Sequence, residues 1–180
     1  MPGSPVLNMS IPSVTADDPV GWAVRHGAPE WLFGDTPYVH SGEGRPRAVI
    51  FDRDGTLASV AHHKDPSGDI ADWGDYNAAV RFDPVVPLVD GILRGIRPGI
   101  FRIMTSGRQD HTAPAMLDWI HKYGLPIDRL WMRRARDTRA DSVVKEEIYR
   151  VAIEPFYDVA LCVDDRPQVV DMWRRVLGGG

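Results

Sequence analysis

Arg47-Ala48-Val49-Ile50-Phe51-Asp52-Arg53-Asp54-Gly55-Thr56 decides the reading of this chain. Ala48 to Phe51 is a short, continuously apolar run, as expected of a strand buried on both faces, and it delivers Asp52 at its carboxyl end. Asp52 and Asp54 are two residues apart on an extended exit, so both carboxylates project to the same side. Gly55 lets the chain turn sharply after the pair. Further apolar runs follow at 100–104, 129–132 and 159–163, and each is separated from the next by a helical pattern. The helices are expected over 85–96, 114–123 (stopped by Gly124), 142–153, and from Pro167 through Leu177. This alternation predicts a Rossmann-like α/β fold, a parallel sheet covered by helices on both sides. In such a sheet the ligand site lies beyond the carboxyl ends of the strands, where Asp52 to Thr56, the expected polar turn Thr105 to Arg108, and Asp164-Asp165 all arrive.

Those clusters suit phosphate-ester chemistry. Asp52 is the expected nucleophile and a metal ligand, and Asp54 is expected to be held protonated, so that it donates to the leaving group and later deprotonates water. Clustered carboxylate oxygens favour a hard octahedral cation, Mg2+, and Asp164 and Asp165 can complete its shell. Thr105 or Ser106 can donate a hydroxyl hydrogen bond to a phosphoryl oxygen. Lys145 can neutralise charge, and Asp141, four residues earlier on the same helical face, can fix nearby basic groups.

The motif Asp52-Arg53-Asp54-Gly55-Thr56, with Thr105-Ser106, Lys145 and Asp164-Asp165 in that order, resembles the haloacid dehalogenase (HAD) superfamily. A narrower resemblance is carried by 48–58, Ser106-Gly107-Arg108, Asp137-Thr138-Arg139, 143–148, and Asp164-Asp165-Arg166 through Arg175. These segments look like the phosphatase domain of bacteriophage polynucleotide kinase/phosphatase. The resemblance implies removal of 3′-phosphates from nucleic-acid ends, useful in repair. It also implies active-site roles for Arg108, Asp141 and Lys145, and a metal set of Asp52, Asp54, Asp164 and Asp165, with Asp165 the favoured direct ligand. No Gly-Lys-Ser/Thr sequence is present, and the stretch before Arg47 is too short for a kinase, so 5′-kinase activity is not expected. Where the family has an arginine after its nucleophile motif, this sequence has His62-His63-Lys64, and Lys64 is the expected substitute.

The remaining composition sets the boundaries. With 180 residues and 43% hydrophobic content, one domain is the default: an irregular arm over 1–46, then a HAD-like domain over 47–180 with a small cap insertion at about 59–83. Trp22, Trp31, Leu32 and Phe33 could dock from the arm, and the terminal Gly178-Gly179-Gly180 is expected to fray. Basic residues number 21 and acidic residues 25, for a net charge of -4, so a nucleic-acid partner must be met by a local patch. Arg133, Arg134, Arg136 and Arg139, with Arg129, are the candidate patch, read against a merely solvated face. Trp73 and Tyr76 in the cap read either as base-stacking rings or as lid packing. His62 and His63 lack further ligands at metal spacing and read as a loop. Cys162 sits in an apolar run and suits a reducing cytoplasm, the host cytoplasm if the chain is phage-encoded; no membrane partner is expected, and homo-oligomerisation is left open. Nucleic-acid ends or nucleotides are the expected substrates. Two other functions compete: a phosphatase of nucleotides or other small esters, and a non-catalytic end-binding module.

Overall fold

The computed structural model describes residues 44–65 and 67–178. The arm up to residue 43, with Trp22, Trp31, Leu32 and Phe33, lies outside the described residues, as do Gly179 and Gly180. Four strands, β1 (Arg47–Asp52), β2 (Phe101–Gln109), β3 (Arg129–Arg133) and β4 (Asp158–Val163), form one parallel sheet in the order β3-β2-β1-β4. The helices are α1 (Trp73–Ala78), α2 (Pro87–Gly95), α3 (Ala113–Lys122), α4 (Asp141–Ile148) and α5 (Pro167–Leu177). The α/β architecture expected from the alternation is present.

Successive strands β1, β2 and β3 step one way, and β4 returns to the far side of β1. Right-handed crossovers then put α2 and α3 on one face and α4 on the other. Side chains agree. Arg94 of α2 donates to the carbonyls of Tyr123 and Gly124 at the end of α3, while Arg175 of α5 pairs with Glu146 of α4. The reversal between β1 and β4 is a switch point, and the chain leaves both strands there on carboxylates. Between the layers, Ile50, Phe51, Ile103, Met104, Met116, Trp119, Leu130 and Ile153 are essentially inaccessible to solvent.

Several elements depart from expectation. The stretch 105–108, expected as a polar turn, continues β2: Thr105 and Ser106 pair with Trp131 and Met132, and a register break follows before Gln109 meets Arg133. Pairing to β3 supplies the hydrogen bonds that a turn would have left to water. Helix α2 starts at Pro87 and turns Leu93 into the core with Val89 packed against it, but leaves Leu88 75% exposed. Residues 149–153 wind as a π-helical turn after α4. Among the described residues β4 is an edge strand, its apolar run is not buried on both faces, and Leu161 stays 45% exposed. Within 59–83 lie a 3-10 turn at Ala61–His63, α1, and a second 3-10 turn at Ala79–Arg81.

Candidate active site

Lys145 lies at the centre. It projects from α4 to the sheet's carboxyl edge, is fully buried, and donates to Asp52 Oδ1 at 2.6 Å and to Asp164 Oδ2 at 2.8 Å. Asp141, one turn back, adds a third carboxylate at 3.3 Å. Burial opposes the ammonium charge, but Asp52, Asp141 and Asp164 together hold its pKa above the usual lysine range. Burial pushes Asp52 the other way; Lys145 pulls it down, Asp164 and Asp54 push it up again, and its carboxyl ends at about 7. Oxygens of Asp52, Asp164 and Asp165 lie within 4.8 Å of one another, so these three residues could hold a metal ion. A hard, all-carboxylate donor set fits a hard divalent cation, and the burial and crowded negative charge that raise Asp52 are what such a cation relieves. Asp165 is also raised, by burial and then by Asp164.

Two glycines make room for this arrangement. Gly55 has φ +91°, and a Cβ there would stand 2.1 Å from an Asp165 carboxylate oxygen. At Gly107 a Cβ would stand 2.2 Å from Asp141 Oδ1, so β2 can pass α4 only where it lacks a side chain.

Asp54 is held apart from the metal-type cluster. Arg108 Nε donates to both its oxygens, at 2.8 and 3.0 Å, and Arg53 Nη1 donates to Oδ1. Burial raises the Asp54 carboxyl, but Arg53 and Arg108 outweigh it and hold it below the usual carboxylate range. These two arginines favour the ionised form of Asp54 before substrate arrives, where a protonated carboxyl was expected, because Arg53 turns inward to meet it. Arg108 also donates Nη1 to the Tyr76 carbonyl at 2.8 Å, and its guanidinium lies 3.5 Å from the centre of the Tyr76 ring. Tyr76 is therefore buried lid packing, one face taken by Arg108, and is not free to stack a base. The side chain of Trp73 lies outside what the structure describes.

The carboxylates open onto a cavity of about 550 Å3, lined by Asp52, Asp54, Tyr76, Gly107, Arg108, Arg133, Asp137, Thr138, Arg139, Asp141, Arg166 and, unforeseen, Asn77, Gln109 and His111. Neither Thr105 nor Ser106 lines it. Ser106 Oγ accepts the Arg108 N–H at 3.2 Å, while the buried Thr105 Oγ1, in register with Asp52, has no hydrogen-bond partner.

The arginines do not form one exposed patch. Arg129 and Arg133 are buried; Arg133 donates to the carbonyls of Gly107 and Arg139, both at 2.6 Å, and to Asp141 Oδ1 at 3.2 Å. Arg139 is engaged by Asp137, at 2.7 Å, and by Glu147, and its hydrogen bond holds the Asp137 carboxyl down at about 2. Arg134 is half-buried; Arg136 is exposed, at φ 67°, with its N–H on Gln109 Oε1. Lys64 is exposed and does not line the cavity. His62 and His63, read as a loop, sit in the 61–63 turn and meet Asp83, whose Oδ1 is 3.3 and 2.8 Å from their Nε2 atoms. Ligand atoms from these three could hold a metal ion. The other Asp83 oxygen, however, is 2.9 Å from Arg53 and 3.7 Å from Arg108, so its charge is already matched and a cation would face two guanidiniums.

A parallel sheet with Asp52 and Asp54 leaving one strand, Asp164 and Asp165 leaving its neighbour, and a lysine between them defines a HAD-type phosphatase scaffold. Its fold is shared with a class C acid phosphatase from Bacillus anthracis, with a TM-score of 0.54 and 16% identity over 67% of this chain and 52% of that one. More narrowly, the chain belongs to the polynucleotide kinase PNKP phosphatase domain family, whose pattern matches residues 46–178. Chains in two structures of a Pnkp1/Rnl/Hen1 complex, one of them described as an RNA repair complex, are 35% identical over 76% of this chain. They have TM-scores of 0.64 and 0.65, and the match covers 41% and 45% of those chains. A protein of Autographa californica nuclear polyhedrosis virus named "Putative bifunctional polynucleotide kinase/RNA ligase" is 32% identical over 142 residues, 76% of this chain and 19% of that protein. The chain thus spans less than half of each of these longer relatives. No helix among the described residues is long and apolar enough to cross a membrane.

Proposed function

We propose that this chain is a Mg2+-dependent phosphatase that removes 3′-phosphates from polynucleotide ends through an aspartyl-phosphate on Asp52. The observation that carries the reading is the buried Lys145 joining Asp52 to Asp164 beside Asp54 at the mouth of the cavity. The longer relatives, named for polynucleotide kinase and RNA repair, support a nucleic-acid end as substrate.

Mg2+ held by Asp52, Asp164 and Asp165 would supply positive charge to the phosphoryl oxygens. Lys145 orients the Asp52 carboxylate and balances its charge. Asp54 takes one proton from solvent or from an arriving monoester monoanion. An Asp52 oxygen then bonds phosphorus as the ester P–O bond breaks, and the Asp54 proton goes to the departing 3′-oxygen. Water next attacks phosphorus and gives its proton to Asp54; the Asp52–phosphorus bond breaks and inorganic phosphate leaves. Asp54 ends protonated and ready for another cycle. Arg108 holds Asp54 in reach throughout, and the fully intact set argues against a non-catalytic end-binding module.

A second reading, a nucleotide or small-ester phosphatase, draws support from the arginines: Arg133 and Arg139 are already engaged, which leaves little free charge to track a phosphate backbone. A substrate panel separates the two. Turnover of an oligonucleotide 3′-phosphate at a kcat/KM well above that of the matching 3′-mononucleotide is the expected result. The reverse ranking would assign the small-ester reading.

A further inference from the structure

We propose that Arg53 is a positioning residue for Asp54, set in place by a brace of Asp83 and His63 that ties the cap to the acid/base carboxylate. The proposal rests on the reading of Asp54 as proton donor and acceptor. Arg53 is completely buried, and both terminal nitrogens of its guanidinium are engaged, while its Nε has no hydrogen-bond partner. Nη1 donates to Asp54 Oδ1; Nη2 donates to the Val80 carbonyl at 2.6 Å and pairs with Asp83 Oδ2 at 2.9 Å; the plane lies 4.6 Å from the centre of the Trp119 ring.

Asp83 is itself fully buried and doubly anchored. His63 Nε2 sits 2.8 Å from Oδ1, and Trp119, the ring beneath Arg53, donates its Nε1–H to the Asp83 carbonyl at 2.8 Å. The ring of His63 meets Tyr76 edge-on at 5.5 Å, and Tyr76 covers Arg108, the second holder of Asp54. Arg108 in turn reaches toward Asp83 at 3.7 Å. Two arginines and two aspartates therefore close a ring, with Asp54 on the cavity side and Asp83 on the protein side.

Filling this space would need only an apolar side chain, and a buried ion-paired arginine is seldom the more stable choice. What the ion-pair ring adds is direction. A carboxylate gripped from two sides cannot rotate away from the line between the 3′-oxygen and the Asp52 phosphoryl group, and a displacement of about 1 Å at such a group costs on the order of 100-fold in rate. The ring also joins the 61–63 turn, α1 and the 79–81 turn to the acid/base group, so the cap's seating and the carboxylate's orientation are one equilibrium.

The test uses the full chain with Mg2+ and two esters: 4-nitrophenyl phosphate, whose leaving group departs without help, and an alkyl ester, an oligonucleotide 3′-phosphate, whose leaving group needs a proton. Arg53→Met should lower kcat for the alkyl ester roughly 10- to 100-fold and change the aryl ester less than about threefold, with KM nearly constant. Arg53→Lys should recover part of the loss, and His63→Ala should show the same pattern at smaller size. Leu93→Ala, which opens the core within α2, serves as a control that lowers stability without changing the ratio of the two rates. If Arg53→Met does not fold, Arg53→Lys and His63→Ala decide the question. Equal losses on both esters, or none, would overturn the positioning role. Wild-type protein that turns over neither ester would instead overturn the phosphatase reading on which it stands.

Discussion

Asp52 sets stability and activity against each other. Its carboxyl is raised in the folded state from 3.8 to about 7, so the protonated form is the one the metal-free fold favours. That stabilisation is complete below pH 3.8 and is lost as pH rises through about 7. Asp52→Asn, which cannot ionise, escapes the loss. Thermal melts in EDTA should therefore show the variant and wild type close together at pH 4 and the variant several degrees higher at pH 8. Mg2+ should raise the wild-type midpoint at pH 8 far more than the variant's. A variant less stable than wild type at pH 8 would contradict the charge crowding described here. Gly107 makes a second residue-scale test, because a Cβ there meets Asp141 Oδ1 at 2.2 Å. Gly107→Ala should cost about 100-fold in kcat by moving Asp141 away from Lys145 and Arg133. Near-normal activity in that variant would mean that Asp141's position does not matter.

At the scale of elements, the edge strand β4 separates packing from sequence pattern. Leu161 belongs to a continuous apolar run yet is 45% exposed, whereas Leu130 on β3 is fully buried. Leu161→Lys should change stability by less than about 0.5 kcal/mol, while Leu130→Ala should cost about 2–5 kcal/mol by urea denaturation. Similar costs would place β4 inside the sheet. The same strand explains what was legible beforehand. Alternating apolar runs and helical periods reveal parallel strands and their order in sequence, and the carboxylates at their ends follow, because strand polarity puts Asp52 and Asp164 at one edge. Position within the sheet is a long-range property, so nothing in the run 159–163 says that it is an edge. Pairing with β3 likewise extends β2 through Thr105 and Ser106, where local composition reads as a turn. Arg53 carried a readable signal, a charge between two outward aspartates, which demands a buried partner. Its partner Asp83 lies thirty residues on and carried none.

For the whole molecule, the question is where a polynucleotide would lie. The arginines of 129–139 split into two roles, and the split makes a prediction. Arg133 is buried and bonded to Gly107, Arg139 and Asp141, so Arg133→Ala should reduce kcat for an oligonucleotide 3′-phosphate and for 4-nitrophenyl phosphate alike, by about 10-fold or more. Arg136 is exposed, and Arg136→Ala should raise KM only for the oligonucleotide and flatten its salt dependence by about one unit of log–log slope or less. Loss on both esters in Arg136→Ala would move that residue into the site, and selective loss in Arg133→Ala would restore the single patch expected from sequence.

The effects on phosphatase turnover presuppose that Asp52 attacks phosphorus. The most direct measurement is release of inorganic phosphate from an oligonucleotide 3′-phosphate by wild type and by Asp52→Asn, with Mg2+ and with EDTA. Wild type should release phosphate with Mg2+ and not with EDTA, while Asp52→Asn, folded by its melt, should release none in either. Substantial Mg2+-dependent release by Asp52→Asn would contradict the account.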